Sequence, residues 1–408
     1  MPDSTPAVSA LLRALHVRAR ALGIGPPAAF LGDWRDSPAV IIPSVDLRPT
    51  RPEQVFSADG DLVVVGFRSF PDHVPDDAPL LPAAVRGTAT GMLTLDPDGR
   101  WRGDGTAPDP HEVIRRYGPP SSGGAGDTRR DGDEGDDDEV DIPLTWAAPD
   151  RRAHRRAVVD CLEAIRAGEV YQTCLSTRLD GRLRADPLET FLSLARRAPA
   201  ARSAYLEGEW GAVLAFSPEE FLVRTGDDVR TSPIKGTVPA DRDPAELLAS
   251  AKDVAENIMI VDLARNDLGR VADVGSVRVS DLLAVRHAPG VHHLVSTVTA
   301  RTSVDHDALV AATFPPASVT GTPKQRAREL IAGWEPRSRG LHCGTYGFAT
   351  ADTLDLAVAI RTLEVAPDGR CELGVGGGIT IDSDPDAEWD ECVHKAAFTW
   401  GGGPAPWL

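Results

Sequence analysis

The sequence predicts an α/β protein of α+β layers, with a large mixed or antiparallel sheet. Three observations predict it. Strand-like and helix-like segments come in blocks rather than in strict βαβ alternation. The apolar runs are short and bounded by Pro and Gly. No internal repeat is visible. The chain has 408 residues, 42% hydrophobic and 25% charged, which suits a globular fold with a large core.

Taken in order, residues 1–117 alternate apolar runs with turns, and Leu62–Phe67 (LVVVGF) and Thr90–Leu95 read as strands. Residues 118–141 are rich in Gly, Ser and Asp and nearly free of apolar side chains. They predict a disordered acidic loop, because nothing there offsets the cost of ordering. From Arg151, Val158, Cys161, Leu162 and Ile165 recur at helical spacing up to Gly168. Val170–Arg178 and Trp210–Phe216 read as strands, and Pro244–Leu268 as one long helix. Thr322-Pro323 opens another helix, with threonine as cap and proline in the first turn. Val291–Arg301, Cys343–Ala349, Leu354–Leu363 and Cys371–Val375 are further strands, and Asp384-Pro385 opens a last helix toward Trp400.

Composition excludes several classes of function. A formal charge of −18 argues against nucleic acid as a partner. No apolar run reaches membrane-spanning length, and the N-terminus lacks a secretory pattern. Five cysteines without a CxxC pair predict neither zinc nor a disulfide framework, and fit a reducing cytoplasm. Lysine is scarce: Lys235, Lys252, Lys324 and Lys395 are the only four among 43 basic residues. A surviving lysine is a candidate for what arginine cannot do, which is to lose its proton and attack.

Lys235 in SPIKGT is the first such candidate, with Gly236 allowing close approach of a ligand and Thr237 beside it. Glu219, after Ser217-Pro218, is a candidate general acid; taken alone, the two read more readily as turn residues or an ion pair, since ion pairs outnumber catalytic pairs. Asp253 and Glu256 lie three apart on the long helix, and Glu388 and Glu391 repeat the spacing on the last one. Converging, they would offer hard oxygen ligands suited to Mg²⁺; singly, each pair reads as a solvated face. Gly376, Gly377 and Gly378, taken as following a strand, could form an anion-binding concavity or a bulge. Thr320 precedes a helix N-terminus, a natural carboxylate site. Arg361 in LAVAIRTL needs a partner if it sits on a core strand, and a planar carboxylate would serve. Lys395 is within reach of Glu388 and Glu391, and His293 is either a satisfied core histidine or a substrate donor.

Together these motifs resemble the chorismate-utilising enzymes. The matching text is SPEEFL (217–222), PIKGT (233–237), AENIMIVDLARNDLGRV (255–271), HHLVSTV (292–298), TGTPKQRARELI (320–331), AIRTL (359–363) and GVGGGITIDSDPDAEWDECVHKA (374–396). The resemblance implies a single large anthranilate-synthase-like domain, two sheets packed as a sandwich with helices outside. Residues 1–117 would be the N-terminal part of that fold and 142–408 the chorismate-binding region. It also implies Mg²⁺ held by Glu256 and Glu391 with Asp253 and Glu388 beside them. Arg361, Thr320, Gly376–Gly378 and Lys395 would grip carboxylates, Gly236, Thr237 and His293 would lie near the substrate, and Glu219 would protonate the departing C4 hydroxyl. Water-using members resemble one another in a base lysine where this chain has Gln172. Lys235 resembles the aminodeoxychorismate synthase branch, in which it attacks C2 before ammonia enters at C4. The alternatives are anthranilate synthase component I, a 2-amino-2-deoxyisochorismate synthase, or a chorismate-binding protein without turnover. No glutaminase or lyase motif is visible, so a separate glutamine amidotransferase and a downstream lyase are the expected partners.

Overall fold

The computed structural model describes residues 7–72, 77–119, 142–288 and 290–407. Most of the expected acidic loop, residues 120–141, lies outside the described residues.

Two large antiparallel sheets pack face to face. The first runs from Gly321–Thr322 through Gln172–Leu183, Arg370–Ile379, Thr362–Val365, Gly211–Ser217, Arg202–Gly208, Ala28–Trp34, Ser37–Ile42 and Gly91–Leu95 to Trp101–Gly105. The second runs from Ile234–Pro239 through Val291–Arg301, Asp228–Thr231, Glu220–Thr225, Thr353–Val358, Thr345–Ala349, Val63–Arg68 and Ala84–Ala89 to Arg48–Pro49. Strands from before residue 117 therefore complete both sheets.

Alternation of side chains explains the layering. Phe30, Val40, Val213 and Ala215 of the first sheet meet Val65, Phe67, Tyr346 and Phe348 of the second in one buried cluster. Phe30 and Phe348 lie 4.9 Å apart between ring centres. Each such buried ring contributes roughly 1.5–3 kcal/mol. The outer faces bury against helices: Val8–Leu22 and Pro187–Arg197 cover the first sheet, and Ala251–Gly269 and His306–Thr313 the second. A buried charge cluster also ties the sheets together. Arg202 pairs with Asp355 and, at 2.7 Å, with Glu220, and its guanidinium lies 4.8 Å from the Trp34 ring centre.

Helix starts follow local chemistry. Asp109-Pro110, Asp186-Pro187 and Asp384-Pro385 each open a helix, with the aspartate accepting two backbone N–H groups and proline filling the first turn.

Several elements differ from expectation. The helix read over 244–268 is two, Ala245–Ala249 and Ala251–Gly269, because Ser250 turns extended and its hydroxyl caps Asp253 N–H at 3.2 Å. Thr322 does not cap the helix Lys324–Trp334; it pairs with Gln172 in a short strand, and Pro323 stands at the cap without a side-chain bond. The strand read over 354–363 breaks at 359–361, where the chain leaves the second sheet for the first. Arg361 is therefore not on a core strand but at that crossing, in left-handed backbone (φ 49°). The strand read as ending at Val375 continues to Ile379, through the glycines.

Candidate active site

Two crossings between the sheets lie side by side and bring the chemistry together. One joins Gly211–Ser217 to Glu220–Thr225 and carries Glu219; the other joins Thr353–Val358 to Thr362–Val365 and carries Arg361. They are stitched by Val358 N–H donating to Glu219 O (3.1 Å) and Phe216 N–H donating to Arg361 O (3.0 Å).

The floor beside them is the paired strands Gln172–Leu183 and Arg370–Ile379, with Gly376 opposite Ser176 and Gly378 opposite Cys174. The glycines are thus extended strand residues, whose successive N–H groups point to alternate sides; they do not form the consecutive-amide concavity read from the sequence. What they provide is room. A Cβ at Gly378 would come 2.6 Å from Gln172 Nε2 and 3.3 Å from both Glu256 Oε2 and Lys235 Nζ. At Gly377 it would meet Glu388 Oε2 at 3.0 Å and Glu391 Oε1 at 3.5 Å.

Lys235 lies within the strand Ile234–Pro239. The register slips between Ile234 and Thr237, and such a bulge re-aims the side chains it contains. Gly236 adopts φ 91°, and a Cβ there would meet the Asp253 side chain at 3.1 Å. Thr237 Oγ1 and His293 Nδ1 are hydrogen-bonded at 2.8 Å. Burial, then the charge of Arg361, pushes His293 down to about 4, so the ring is neutral near pH 7. Arg361 itself has no ion-pair or hydrogen-bond partner for its guanidinium among the described residues, and burial lowers its pKa. A half-buried cation without a partner is costly, and an anionic ligand would relieve it.

Glu219 is 4% exposed, and burial raises its carboxyl to about 7, against the opposing pull of Ser318 and Lys235. Gln172, 2% exposed, donates from Nε2 to Glu256 Oε2 at 3.3 Å, while its Oε1 has no partner among the described residues. That buried acceptor suits an N–H donor. Thr320 differs from expectation: its hydroxyl is already committed to Pro316 O (3.2 Å) and Ala317 O (3.1 Å).

The two acidic helix faces do converge. Burial raises Glu256 and Glu388. Burial also pushes Glu391 upward, but the ammonium of Lys395, 2.6 Å away, brings it below its ordinary value. Lys395 also donates to Gly376 O at 2.7 Å. Among the described residues no three His, Cys, Asp or Glu side chains form a ready metal cage. Instead Lys252, named in the sequence only as one of four lysines, sits 4.0 Å from Glu256 and 3.9 Å from Glu388. Its spacing of four before Glu256 was the signal available for it. The pair already holds a cation between them, which is what a divalent ion would require of them.

A family description, chorismate binding enzyme, matches residues 90–400. The chain belongs to that family. Aminodeoxychorismate synthase component 1 of Escherichia coli K12 is 43% identical over 243 residues, covering 57% of this chain and 53% of that protein. Anthranilate synthase component 1 of Streptomyces coelicolor is 44% identical over 245 residues, covering 57% and 48%. The chain therefore spans about half the length of those relatives. Among solved structures, anthranilate synthase component I of Streptococcus pneumoniae superposes with a TM-score of 0.72 at 22% identity, over 92% of this chain and 91% of that one. The menaquinone-specific isochorismate synthase of Escherichia coli gives 0.71 at 19%, over 98% and 91%. At these identities the likeness shows the fold, two sheets with helices outside. Among the described residues no helix is long and apolar enough to cross a membrane.

Proposed function

We propose that this chain aminates chorismate at C4, yielding 4-amino-4-deoxychorismate, with ammonia supplied by a separate glutamine amidotransferase subunit and the product passed to a lyase. The observation that carries the reading is the meeting of Lys235 Nζ and Gln172 at Gly378, with Glu219 nearby and held near pH 7 for proton exchange. Arg361 and Lys395 bind the two carboxylates of the substrate. Neutral Lys235 attacks C2; the ring double bond shifts, the C4–O bond breaks, and Glu219 gives its proton so that water leaves. Ammonia, its N–H accepted by Gln172 Oε1, bonds to C4. The double bond returns, the C2–N bond breaks to release Lys235 as its neutral amine, and the proton shed by the incoming nitrogen returns to the Glu219 carboxylate. The sum is chorismate plus ammonia giving the aminated product plus water. Mg²⁺, when held by Glu256 and Glu391 with Asp253 and Glu388 beside them, would neutralise a substrate carboxylate.

A second reading, amination at C2 as in anthranilate synthase, is favoured by the equal similarity to the Streptomyces coelicolor relative. Lys235 opposes it, since anthranilate synthases resemble one another in carrying alanine there. Incubation with chorismate, Mg²⁺ and ammonium, followed by a lyase, distinguishes them. We expect 4-aminobenzoate, and an intact-mass adduct on wild type without ammonia that vanishes in Lys235→Ala. Anthranilate as the main product would overturn the proposal.

A further inference from the structure

Four carboxylates and three lysines share the acidic end of the site, and the lysines are not equivalent. Lys395 is fixed, donating to Gly376 O at 2.7 Å and paired with Glu391 at 2.6 Å. Lys235 stands on a bulged strand against the glycine floor. Among the described residues Lys252 is held only by two long ion pairs, at 4.0 and 3.9 Å, one to its own helix and one to the last helix. Its side chain is 44% exposed, whereas those of Glu256 and Glu388 are 9% and 6% exposed. The stem therefore reaches in from solvent and puts its ammonium between two nearly buried carboxylates.

We propose that Lys252 is a displaceable internal cation: it sits between Glu256 and Glu388 within the acidic cluster and must withdraw to solvent before a divalent cation can bind there. The proposal rests on the reading that this acidic cluster takes Mg²⁺. Two buried carboxylates facing one another without a cation repel and are poorly solvated, so the empty cluster would push the helices apart. A tethered ammonium prevents this, and it can also leave. A lysine is a strongly hydrated point charge on a flexible stem, and one with no hydrogen bond to protein loses little on returning to water. Hard oxygen ligands prefer a small divalent ion to an ammonium, which lacks directional coordination. Binding is then an exchange of cations, and apparent Mg²⁺ affinity is reduced by the affinity of the cluster for its own lysine.

Calorimetric titration of Mg²⁺ into the chorismate-bound chain tests this, using wild type, Lys252→Met, Lys252→Arg and, as a control for remote charge, Arg265→Met on the exposed part of the same helix. We expect Lys252→Met to lower the Kd about tenfold, or about 1.4 kcal/mol. Lys252→Arg and Arg265→Met should stay close to wild type. A second readout is independent of affinity. The chain has four lysines, so ¹³C-lysine labelling gives four ε-methylene signals. The one missing from Lys252→Met should move on Mg²⁺ addition to the wild type, to the position of a solvated lysine. Equal Kd values for wild type and Lys252→Met, or an unmoved Lys252 signal at saturation, would overturn the proposal. If no variant bound Mg²⁺ at all, the metal assignment itself would fall, and this proposal with it.

Discussion

Replacing Glu219 by glutamine should make the protein inactive and, above neutral pH, more stable. Burial raises this carboxyl from an ordinary 4.5 to about 7. Between those values the unfolded chain has released its proton while the folded chain retains it. The folded state then binds more protons, so stability falls as pH rises through that window and levels off above about 7. At 1.36 kcal/mol per pKa unit the fall is about 3 kcal/mol, an upper figure because Ser318 and Lys235 can adjust to the charge. Glutamine has the shape of the protonated acid and cannot ionise, so Glu219→Gln removes this contribution. Urea unfolding of both proteins at pH 5 and pH 8 gives the difference directly. The other raised carboxyls, such as Glu364 at about 8 and Glu372 at about 7, cancel between the two proteins. We expect the variant to be about 1 kcal/mol more stable at pH 5, and about 3 kcal/mol more stable at pH 8. A gap that does not grow with pH would refute the claim that Glu219 is held protonated by its burial.

Three further outcomes follow from other parts of the structure. Arg202→Met leaves Asp355 without its cation and Glu220 with Arg230 alone, and should cost about 3–5 kcal/mol in denaturant unfolding; a loss below about 1 kcal/mol would mean the cluster is better hydrated than its burial implies. Gly378→Ala brings a methyl within 2.6 Å of Gln172 Nε2, so amination should fall about a hundredfold while circular dichroism is unchanged; wild-type rates would show that the floor is not used. Wild type given chorismate and Mg²⁺ without ammonia should form isochorismate at under about a hundredth of its amination rate, since Gln172 cannot deprotonate water; comparable rates would put the chain on the water-using branch.

Much was legible in the sequence because it is encoded by neighbours along the chain. Val291–Arg301 was readable end to end as a strand, and the last helix from its Asp384-Pro385 start, two adjacent residues. Lys235 stood out because lysine is rare in this chain, and the acid pairs because their spacing of three fixes them on one helix face. What the sequence could not decide is where a strand changes sheets. LAVAIRTL is apolar apart from Arg361 and Thr362 and looks like one strand, but hydrophobicity is the same whichever sheet it joins. Only the partners across the chain break it at 359–361 and put Arg361 beside Glu219, some 140 residues away in sequence. The glycine run was equally ambiguous, since lack of a side chain suits a turn or a strand; the ten-residue ladder with Thr173–Arg182 makes it a strand. Lys252 was hidden for the same reason. Its spacing named Glu256 as one partner, but Glu388, the second, lies on a helix that only the folded chain brings alongside.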